Sequence, residues 1–508
     1  MQKENQNTTK QKEKFNLFSL LSYIFKYFIG KFGYAIHQTV LTTRPTIDAI
    51  GNIKYYRHTD YGLIVSSAAV GIIIGVFCAV FHEALGFAGK FFSDLAFKSE
   101  KLFRWEFIAF PLIPALGGLG IGILKRTIFK GATIEGLSTV VEALTLRDGK
   151  IDWRNSFKSI LFAALSIGSG GGAGREGPTI VLGASLGSSI AQLLRLRPQQ
   201  LRVLCGSGAS AAIAGIFNAP LGGIVFALEA IIGETSIRTF VPLVISSVLA
   251  TATSRILLGD NPLLITPQET MVEPLDYVFL AIAGVLSGFV ALYFVKTYFW
   301  TYTKTVTLLN KFKIPEILQP AIGGFFVGII LLLLPTMWET TYSPINSAIA
   351  GKVDPQMKDS ILFYFSSFFK GEWIIAFWII IAAATILIKP ISNAITLGSG
   401  GAGGTMAPAI KTGAMFGFCF GTILHLIQPG TSPGLYALVC AGATLSACYQ
   451  IPLTGGIILF EISHNYNLIL PLIFSSVFAS FIIQKLKVKT FNPLRKNLPD
   501  YDLHNHKK

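Results

Sequence analysis

The feature that most constrains this sequence is a series of long apolar runs that carry almost no charge. A helix needs about 20 residues to cross the roughly 30 Å hydrocarbon core of a bilayer. Six runs reach or approach this length, near residues 61–88, 103–124, 236–257, 275–300, 316–335 and 372–391. Only 14% of the 508 residues are charged, against roughly 25% in a soluble domain. The pattern predicts an all-α integral membrane protein and excludes a typical water-soluble enzyme.

Most of the excess positive charge lies at the two ends of the chain. The net charge is +15, of which residues 1–57 contribute +6 and residues 485–508 contribute +5. Basic residues beside apolar spans are typical of cytoplasmic ends. We therefore predict a multi-pass protein of the cell (inner or plasma) membrane with both termini cytoplasmic. This placement of the charge also argues against a nucleic-acid partner.

Further apolar stretches are shorter and are interrupted by Gly and Pro. They lie near residues 157–167, 178–195, 209–217, 220–233, 406–427, 434–448, 452–462 and 467–484. Broken helices are tolerated at membrane depth only where their free backbone ends face protein or a water-filled cavity. The broken segments therefore predict an internal pathway rather than a simple helical bundle.

The chain contains an internal repeat that is marked by two Gly-rich breaks. The eleven residues Gly168–Pro178 recur as Gly398–Pro408, with six identical positions at an offset of 230. Downstream, the segment Pro220–Glu229 recurs as Pro452–Glu461 at an offset of 232. Gly-rich breaks at matching places of two halves point to a binding site between transporter repeats. The pattern alone leaves open whether the repeats are parallel or inverted.

Each break predicts a helix start that can bind an anion. Pro178 and Pro408 suit the first turn of a helix, where the missing N–H is no loss, and the preceding glycines let the chain turn. The free N–H groups and the positive end of the helix dipole attract negative charge. Two such starts aimed at one point would bind a small anion without the full positive charge that slows its release.

Glu176 is the most informative single residue, because it lies inside the first break between Gly174 and Gly177. A charged side chain at membrane depth costs roughly 3 kcal/mol and is a functional candidate by default. Its carboxylate could occupy the anion's place at the helix start, and protonation would then free the site. The alternative role is a helix N-cap or a partner for Arg175.

Four segments together resemble the CLC chloride channel and transporter family: Gly174–Pro178, Gly404–Pro408, Asn218–Leu221 and Asn465–Pro471. The resemblance runs from about residue 60 to residue 485. It implies an inverted repeat of about eighteen helices, many short and broken, and a homodimer in the lipid bilayer with one anion pathway per subunit. It also implies bound chloride ions and no other cofactor.

The same resemblance implies roles for individual residues. Glu176 looks like the external gating glutamate, and Tyr466 looks like the tyrosine whose hydroxyl coordinates the central anion. The remaining anion-binding positions are in the two breaks, at Gly174, Arg175, Gly177, Thr405, Met406 and Ala407.

Two filter positions depart from the family's pattern. The usual segment with an anion-coordinating serine is absent, and the nearest match, Ile134–Ser138, puts Glu135 at the serine's position. A carboxylate there would repel the anion, so either Glu135 turns away or the loop is rebuilt and another group coordinates the anion. Thr133 and Ser138 are the nearby hydroxyls. Met406 replaces the usual Phe with a softer side chain. Selectivity therefore stays open between chloride and another anion, such as fluoride or nitrate.

Proton coupling is the third departure. The internal glutamate of proton-coupled members aligns with Ala230, which cannot relay a proton. Glu229 is adjacent but would point about 100° aside on a helix. The sequence therefore favours channel-like or weakly coupled transport, with a chloride/proton antiporter that uses another route as the alternative. Structural pairing is the favoured role of Glu229 and Glu461, and Glu229 is kept beside Glu176 as a candidate for the proton pathway.

Lys411 follows Pro408 by three residues and leaves two interpretations open. Its charge could raise the local concentration of anions, or its side chain could snorkel to the interface or pair with an acidic group.

The expected organisation is a basic cytoplasmic segment with a first helix (1–57), two membrane repeats (58–260 and 261–485) and a basic cytoplasmic tail (486–508). The family analogy implies a prokaryotic-type member without CBS domains. A membrane enzyme is disfavoured, because the seven histidines are scattered and none has the spacing of a metal-ligand pair inside the apolar runs. A cation channel is disfavoured because its filter would need acidic rings or helix C-termini that face the ion.

Overall fold

A computed structural model describes residues 60–97, 106–129, 136–233, 236–260, 262–265, 274–338, 342–350 and 373–495. Within these ranges the chain forms sixteen α-helices and no β-strand, which confirms the predicted all-α fold of long and broken helices. The predicted cytoplasmic segment 1–57 and residues 496–508 of the predicted tail lie outside the described residues.

The helices of the two halves follow in chain order. The first half comprises α1 (Asp60–Phe97), α2 (Glu106–Thr127), α3 (Leu137–Leu146), α4 (Arg154–Gly168), α5 (Glu176–Leu193), α6 (Pro198–Phe217), α7 (Pro220–Phe226) and α8 (Ile237–Leu258). The second half comprises α9 (Asp276–Lys311), α10 (Gln319–Leu333), α11 (Ser343–Ile349), α12 (Trp373–Gly398), α13 (Met406–Ile427), α14 (Pro433–Tyr449), α15 (Pro452–Ser463) and α16 (Ile469–Lys485).

Within the described ranges, seven helical segments are long and apolar enough to cross a membrane. They are Asp60–Leu95, Pro198–Phe217, Ile237–Leu258, Asp276–Lys311, Ile375–Gly398, Met406–Ile427 and Tyr466–Lys485. The run near 316–335 is shorter than predicted, because α10 has 15 residues and a 3₁₀ turn begins at Pro335. Short apolar helices such as α3, α7 and α15 lie between the long ones, as expected for a protein with helix ends buried inside it.

The two Gly-rich breaks meet each other in antiparallel orientation. The Gly174 N–H donates to the Gly404 carbonyl at 2.8 Å, and the Gly404 N–H donates to the Gly174 carbonyl at 2.6 Å. These residues are equivalent in the repeat. A contact that equivalent residues make with each other is the mark of a two-fold axis, so the two breaks are related by an approximate two-fold axis.

One further pair of hydrogen bonds relates the two breaks in the same reciprocal way. The Ser166 hydroxyl accepts a hydrogen bond from the Ala402 N–H at 3.2 Å, and the equivalent Thr396 hydroxyl accepts one from the Gly172 N–H at 3.0 Å. All four of these groups are buried, which leaves no water to satisfy the N–H groups of the breaks. The exchange therefore fixes each break against the helix that precedes the other.

The paired glutamates cap each other's helices. Glu461 accepts hydrogen bonds from the N–H groups of Leu221 (3.0 Å) and Gly222 (2.7 Å) at the start of α7. Glu229 accepts bonds from the N–H groups of Leu453 (3.3 Å) and Thr454 (2.9 Å) at the start of α15, and also from the Thr454 hydroxyl. Carboxylates at helix starts satisfy free donors and complement the helix dipole.

We expect Glu229→Ala and Glu461→Ala to destabilise the protein by similar amounts, about 1–2 kcal/mol each, since each removes one equivalent cap. Thermal unfolding in detergent would measure the loss. Glu142→Ala is the matched control, because Glu142 forms an exposed ion pair with Arg147 at 2.8 Å and such pairs contribute little. A result in which one cap variant is as stable as this control would contradict the equivalence of the two halves.

Candidate anion-binding site

Three helix starts converge beside the paired breaks. The residue before α3, Gly136, has a φ of +58°, which glycine adopts without strain. A Cβ added to Gly136 would lie 3.4 Å from the Gly177 Cα, and one added to Gly404 would lie 2.7 Å from the Gly177 nitrogen. The starts of α3, α5 and α13 are therefore in contact. Their free N–H groups and dipoles concentrate positive potential in a small volume.

The Glu176 carboxylate occupies this volume. Glu176 is the first residue of α5 and is 0% exposed. Its Oε2 accepts a hydrogen bond from the Ala407 N–H of α13 at 3.3 Å, and its Oε1 accepts one from the Tyr342 hydroxyl at 3.4 Å. The side chain thus reaches from its own helix start to that of the second repeat, and its negative charge lies where a bound anion would be stabilised.

A buried tyrosine lies on another side of the carboxylate. Tyr449, the last residue of α14, forms a hydrogen bond between its hydroxyl and that of Thr405, the residue that precedes α13. Thr405 lies two residues before Ala407, whose N–H binds the Glu176 carboxylate, so the Tyr449 hydroxyl is anchored at the same helix start. The hydroxyls of Tyr449 and Thr405 can each donate and accept hydrogen bonds.

The remaining break residues lie at the same place. Met406 begins α13 with its side chain in the main core, so its contribution to the site is the backbone N–H. The Arg175 guanidinium lies 4.9 Å from the centre of the Tyr342 ring. Ser138 is the second residue of α3 and is half-buried. Glu135, the departure predicted next to it, lies outside the described residues.

The structure does not support the role predicted for Tyr466. This residue is 76% exposed in a 3₁₀ turn before α16, with its ring 5.7 Å from that of Phe460. The tyrosine that contacts the break is Tyr449, which the sequence analysis did not single out. The repeat could have pointed to Tyr449. The equivalent residue at the end of α6 is Phe217, so only the second repeat carries a hydroxyl at this position.

Glu229 is hydrogen-bonded to the start of α15. Its carboxylate oxygens accept the three hydrogen bonds from α15 described above, so the favoured structural role agrees with the geometry. The neighbouring Ala230 is buried in a π-helical turn, Ala227–Ile232, that continues α7.

Lys411 does not snorkel to the surface. It is 0% exposed, and its Nζ donates to the Thr336 carbonyl at 2.8 Å. Lys389 of α12 is also buried and donates to the adjacent Met337 carbonyl at 3.1 Å. The described part of the chain buries four charged side chains, those of Arg175, Glu176, Lys389 and Lys411. Three positive charges against one negative charge favour an anion in this interior.

Known proteins with similar sequences include chloride channels and chloride exchangers. The sequence model of the family described as voltage gated chloride channel matches residues 117–484. A putative chloride channel protein, ClcB-like, from Ralstonia nicotianae is 29% identical over 375 residues, which cover 72% of this chain and 80% of that protein. The H(+)/Cl(-) exchange transporter ClcA of Vibrio vulnificus is 27% identical over 468 residues, which cover 88% of this chain and 92% of that protein.

Solved structures share the fold. A slow cyanobacterial Cl-/H+ antiporter superposes with a TM-score of 0.71 at 22% identity and covers 85% of this chain and 96% of its own. A CLC-type fluoride/proton antiporter superposes with a TM-score of 0.65 at 21% identity, with coverage of 86% and 98%. At these identities the likeness concerns the helical architecture alone.

Proposed function

The chain belongs to the voltage gated chloride channel family, and we propose that it carries chloride across the membrane through the point where α3, α5 and α13 begin. Its family consists of membrane proteins that transport anions rather than enzymes. The observation that carries the proposal is the Glu176 carboxylate bound to the Ala407 N–H. A negative group already held by backbone donors marks where a small monovalent anion is stabilised.

Glu176 acts as the gate in this proposal. When ionised, its carboxylate fills the anion site and blocks the path. Protonation removes the negative charge, weakens its bonds to the donors and lets an anion take its place. The carboxylate and the anion compete for the same donors. The position of the Glu176 carboxylate therefore marks the anion site, and its protonation state controls whether an anion can enter.

The anion's ligands are the N–H groups at the helix starts, those of Thr405, Met406 and Ala407 on α13 and those of the first break on α5. The Tyr449 hydroxyl replaces that of Tyr466 in this set, because it lies beside Thr405. Neutral donors suit transport, since a bare ammonium in contact with the ion would slow its release. Lys389 and Lys411 attract the anion through their electrostatic potential rather than by direct contact, because their Nζ atoms are bonded to backbone carbonyls.

We propose that coupling to protons is weak or absent. Ala230 has no proton to exchange, and the Glu229 carboxylate is used as the cap of α15. Two of the similar proteins are described as proton-coupled exchangers, so a coupled chloride/proton antiporter with another proton route is the second candidate. The two functions differ in a single measurable quantity, which is uphill proton movement.

Proteoliposomes with a chloride gradient and no initial pH gradient test this choice. We expect chloride efflux without proton uptake above that of protein-free vesicles, because no described side chain at position 230 can relay a proton. Glu229→Gln is the matched variant, since Gln keeps an acceptor oxygen for the cap but cannot titrate. Uphill proton uptake by the parent protein would overturn the uncoupled assignment. If that uptake were lost in Glu229→Gln, Glu229 would be assigned as the proton relay.

Selectivity and assembly complete the proposal. Chloride is the proposed substrate, and fluoride or nitrate are competitors whose rank a flux competition assay would give. The described filter contacts are N–H and O–H donors, which bind any small monovalent anion. We also propose that the protein functions as a homodimer in the bilayer, with one pathway per subunit and with the transported anion as its only small-molecule partner.

A further inference from the structure

Tyr342 contacts the gate from a helix that belongs to neither Gly-rich break. It is the residue before α11, and its hydroxyl donates to the Glu176 Oε1 at 3.4 Å. The Ala407 N–H donates to the other oxygen, Oε2. The carboxylate is therefore held at both oxygens, by a backbone donor of the site on one side and by a phenol on the other.

The ring of Tyr342 is fixed by the neighbour of the gate. The Arg175 guanidinium lies 4.9 Å from its centre, within the range of a cation–π contact. Arg175 immediately precedes Glu176. The Arg175 guanidinium therefore contacts the ring of Tyr342, while the Glu176 carboxylate accepts the hydrogen bond from its hydroxyl. This pairing orients the phenol toward the carboxylate rather than toward the surface.

The backbone of Tyr342 is held from α11. Its carbonyl accepts a hydrogen bond from the Asn346 N–H at 2.9 Å. The Asn346 side chain in turn accepts a bond from the Ile265 N–H at 3.0 Å and donates to the Leu263 carbonyl at 3.1 Å. The backbone that carries the phenol is thus held by α11, which the Asn346 side chain ties to the segment 262–265.

We propose that Tyr342 is a positioning residue that holds the ionised Glu176 carboxylate in the anion site and thereby sets the fraction of time the path is closed. The inference rests on the proposed gating role of Glu176. A hydroxyl that donates to a carboxylate stabilises the charged, bound state and offers less to the protonated acid. Loss of the hydroxyl therefore favours the open state.

Among the described residues, four charged or titratable groups lie near the gate carboxylate. Arg175 precedes α5, Tyr342 precedes α11, and Tyr449 ends α14. His82 of α1 lies within electrostatic range of Arg175. Tyr342→Phe leaves all the others in place and keeps the ring for Arg175, so the substitution isolates the hydroxyl.

The test is chloride efflux from proteoliposomes for Tyr342→Phe, Glu176→Gln and the double variant, at several pH values. We expect Tyr342→Phe to raise efflux at neutral pH by roughly tenfold or more, the effect of one hydrogen bond to a charged group. The pH of half-maximal efflux should move upward, because the ionised gate has lost a stabilising donor. In the Glu176→Gln background, Tyr342→Phe should have little effect.

Tyr293→Phe is the matched control, since it removes a tyrosine hydroxyl that donates to the Leu387 carbonyl between α9 and α12. It should leave the pH profile unchanged. An unchanged profile for Tyr342→Phe, beside a clear effect of Glu176→Gln, would overturn the role of Tyr342 and leave the gate intact. A Tyr342→Phe effect of equal size in the Glu176→Gln background would also overturn it. No effect of Glu176→Gln would instead refute the gate itself.

Discussion

Chloride efflux through Glu176→Gln should be fast and nearly independent of pH, whereas efflux through the parent protein should rise as pH falls. The side chain of Gln has the size of the carboxylate but no negative charge, so it competes poorly with an anion for the Ala407 N–H. In the parent, a single titrating carboxylate changes the open fraction by up to about tenfold per pH unit. The sign follows from the chemistry, since acid protonates the gate and removes it from the site.

The measurement is efflux from proteoliposomes over several pH units, normalised to the amount of folded protein. Glu142→Gln provides the control, because this glutamate lies on α3 in an exposed ion pair with Arg147 and should leave the pH profile intact. A Glu176→Gln variant that retains the parent's full pH dependence would refute the gate. A variant with flat but vanishing efflux would show that the carboxylate is needed for conduction rather than for closure.

The sequence contains the architecture of the site because that architecture is local. Two runs of glycine that each end in proline are sufficient to predict two helix starts, and their duplication predicts that the starts belong together. The charge of Glu176 in an apolar setting predicts its importance. These inferences need no knowledge of distant contacts, and the described helices α5 and α13 begin at Glu176 and Met406.

The identity of the tyrosine could not be obtained in the same way. Tyr466 follows a recognisable motif, yet a motif does not determine where a side chain points, and its ring is exposed. Tyr449 and Tyr342 reach the site from α14 and from the residue before α11, and their contacts with Thr405 and Glu176 span 44 and 166 positions of the chain. Such contacts depend on how the helices pack, which periodicity and spacing do not specify.

The contacts of the buried lysines could not be predicted from the sequence either. Position alone left Lys411 between a surface role and an electrostatic one, and only packing shows that its ammonium is bonded to the Thr336 carbonyl. The bond lets a full charge stay buried because a carbonyl replaces part of its hydration. The charge then contributes to the potential around the breaks without a direct bond to the transported ion being required.

The contact between the breaks makes glycine obligatory at position 177, so Gly177→Ala should be among the most damaging single substitutions. Its Cβ would lie 2.8 Å from the Gly403 carbonyl oxygen and 3.0 Å from the Gly404 Cα. Both are backbone atoms that cannot rotate away, so the breaks must separate. Overpacking of this kind costs about 1–3 kcal/mol, and it displaces the helix starts whose donors converge on the anion.

We therefore expect Gly177→Ala to lower the unfolding temperature and to reduce chloride efflux at least tenfold per folded protein, since a shift of about 1 Å in a binding geometry can cost two orders of magnitude. Gly86→Ala is the matched control, because a Cβ there meets nothing within 4 Å and alanine favours the helix. Efflux and thermal unfolding of the two variants in parallel would separate the effect of the site from that of glycine loss. If Gly177→Ala had the same efflux and the same unfolding temperature as Gly86→Ala, the two breaks would have to be packed less closely than their paired hydrogen bonds indicate. Anion transport could then not depend on the close approach of the breaks.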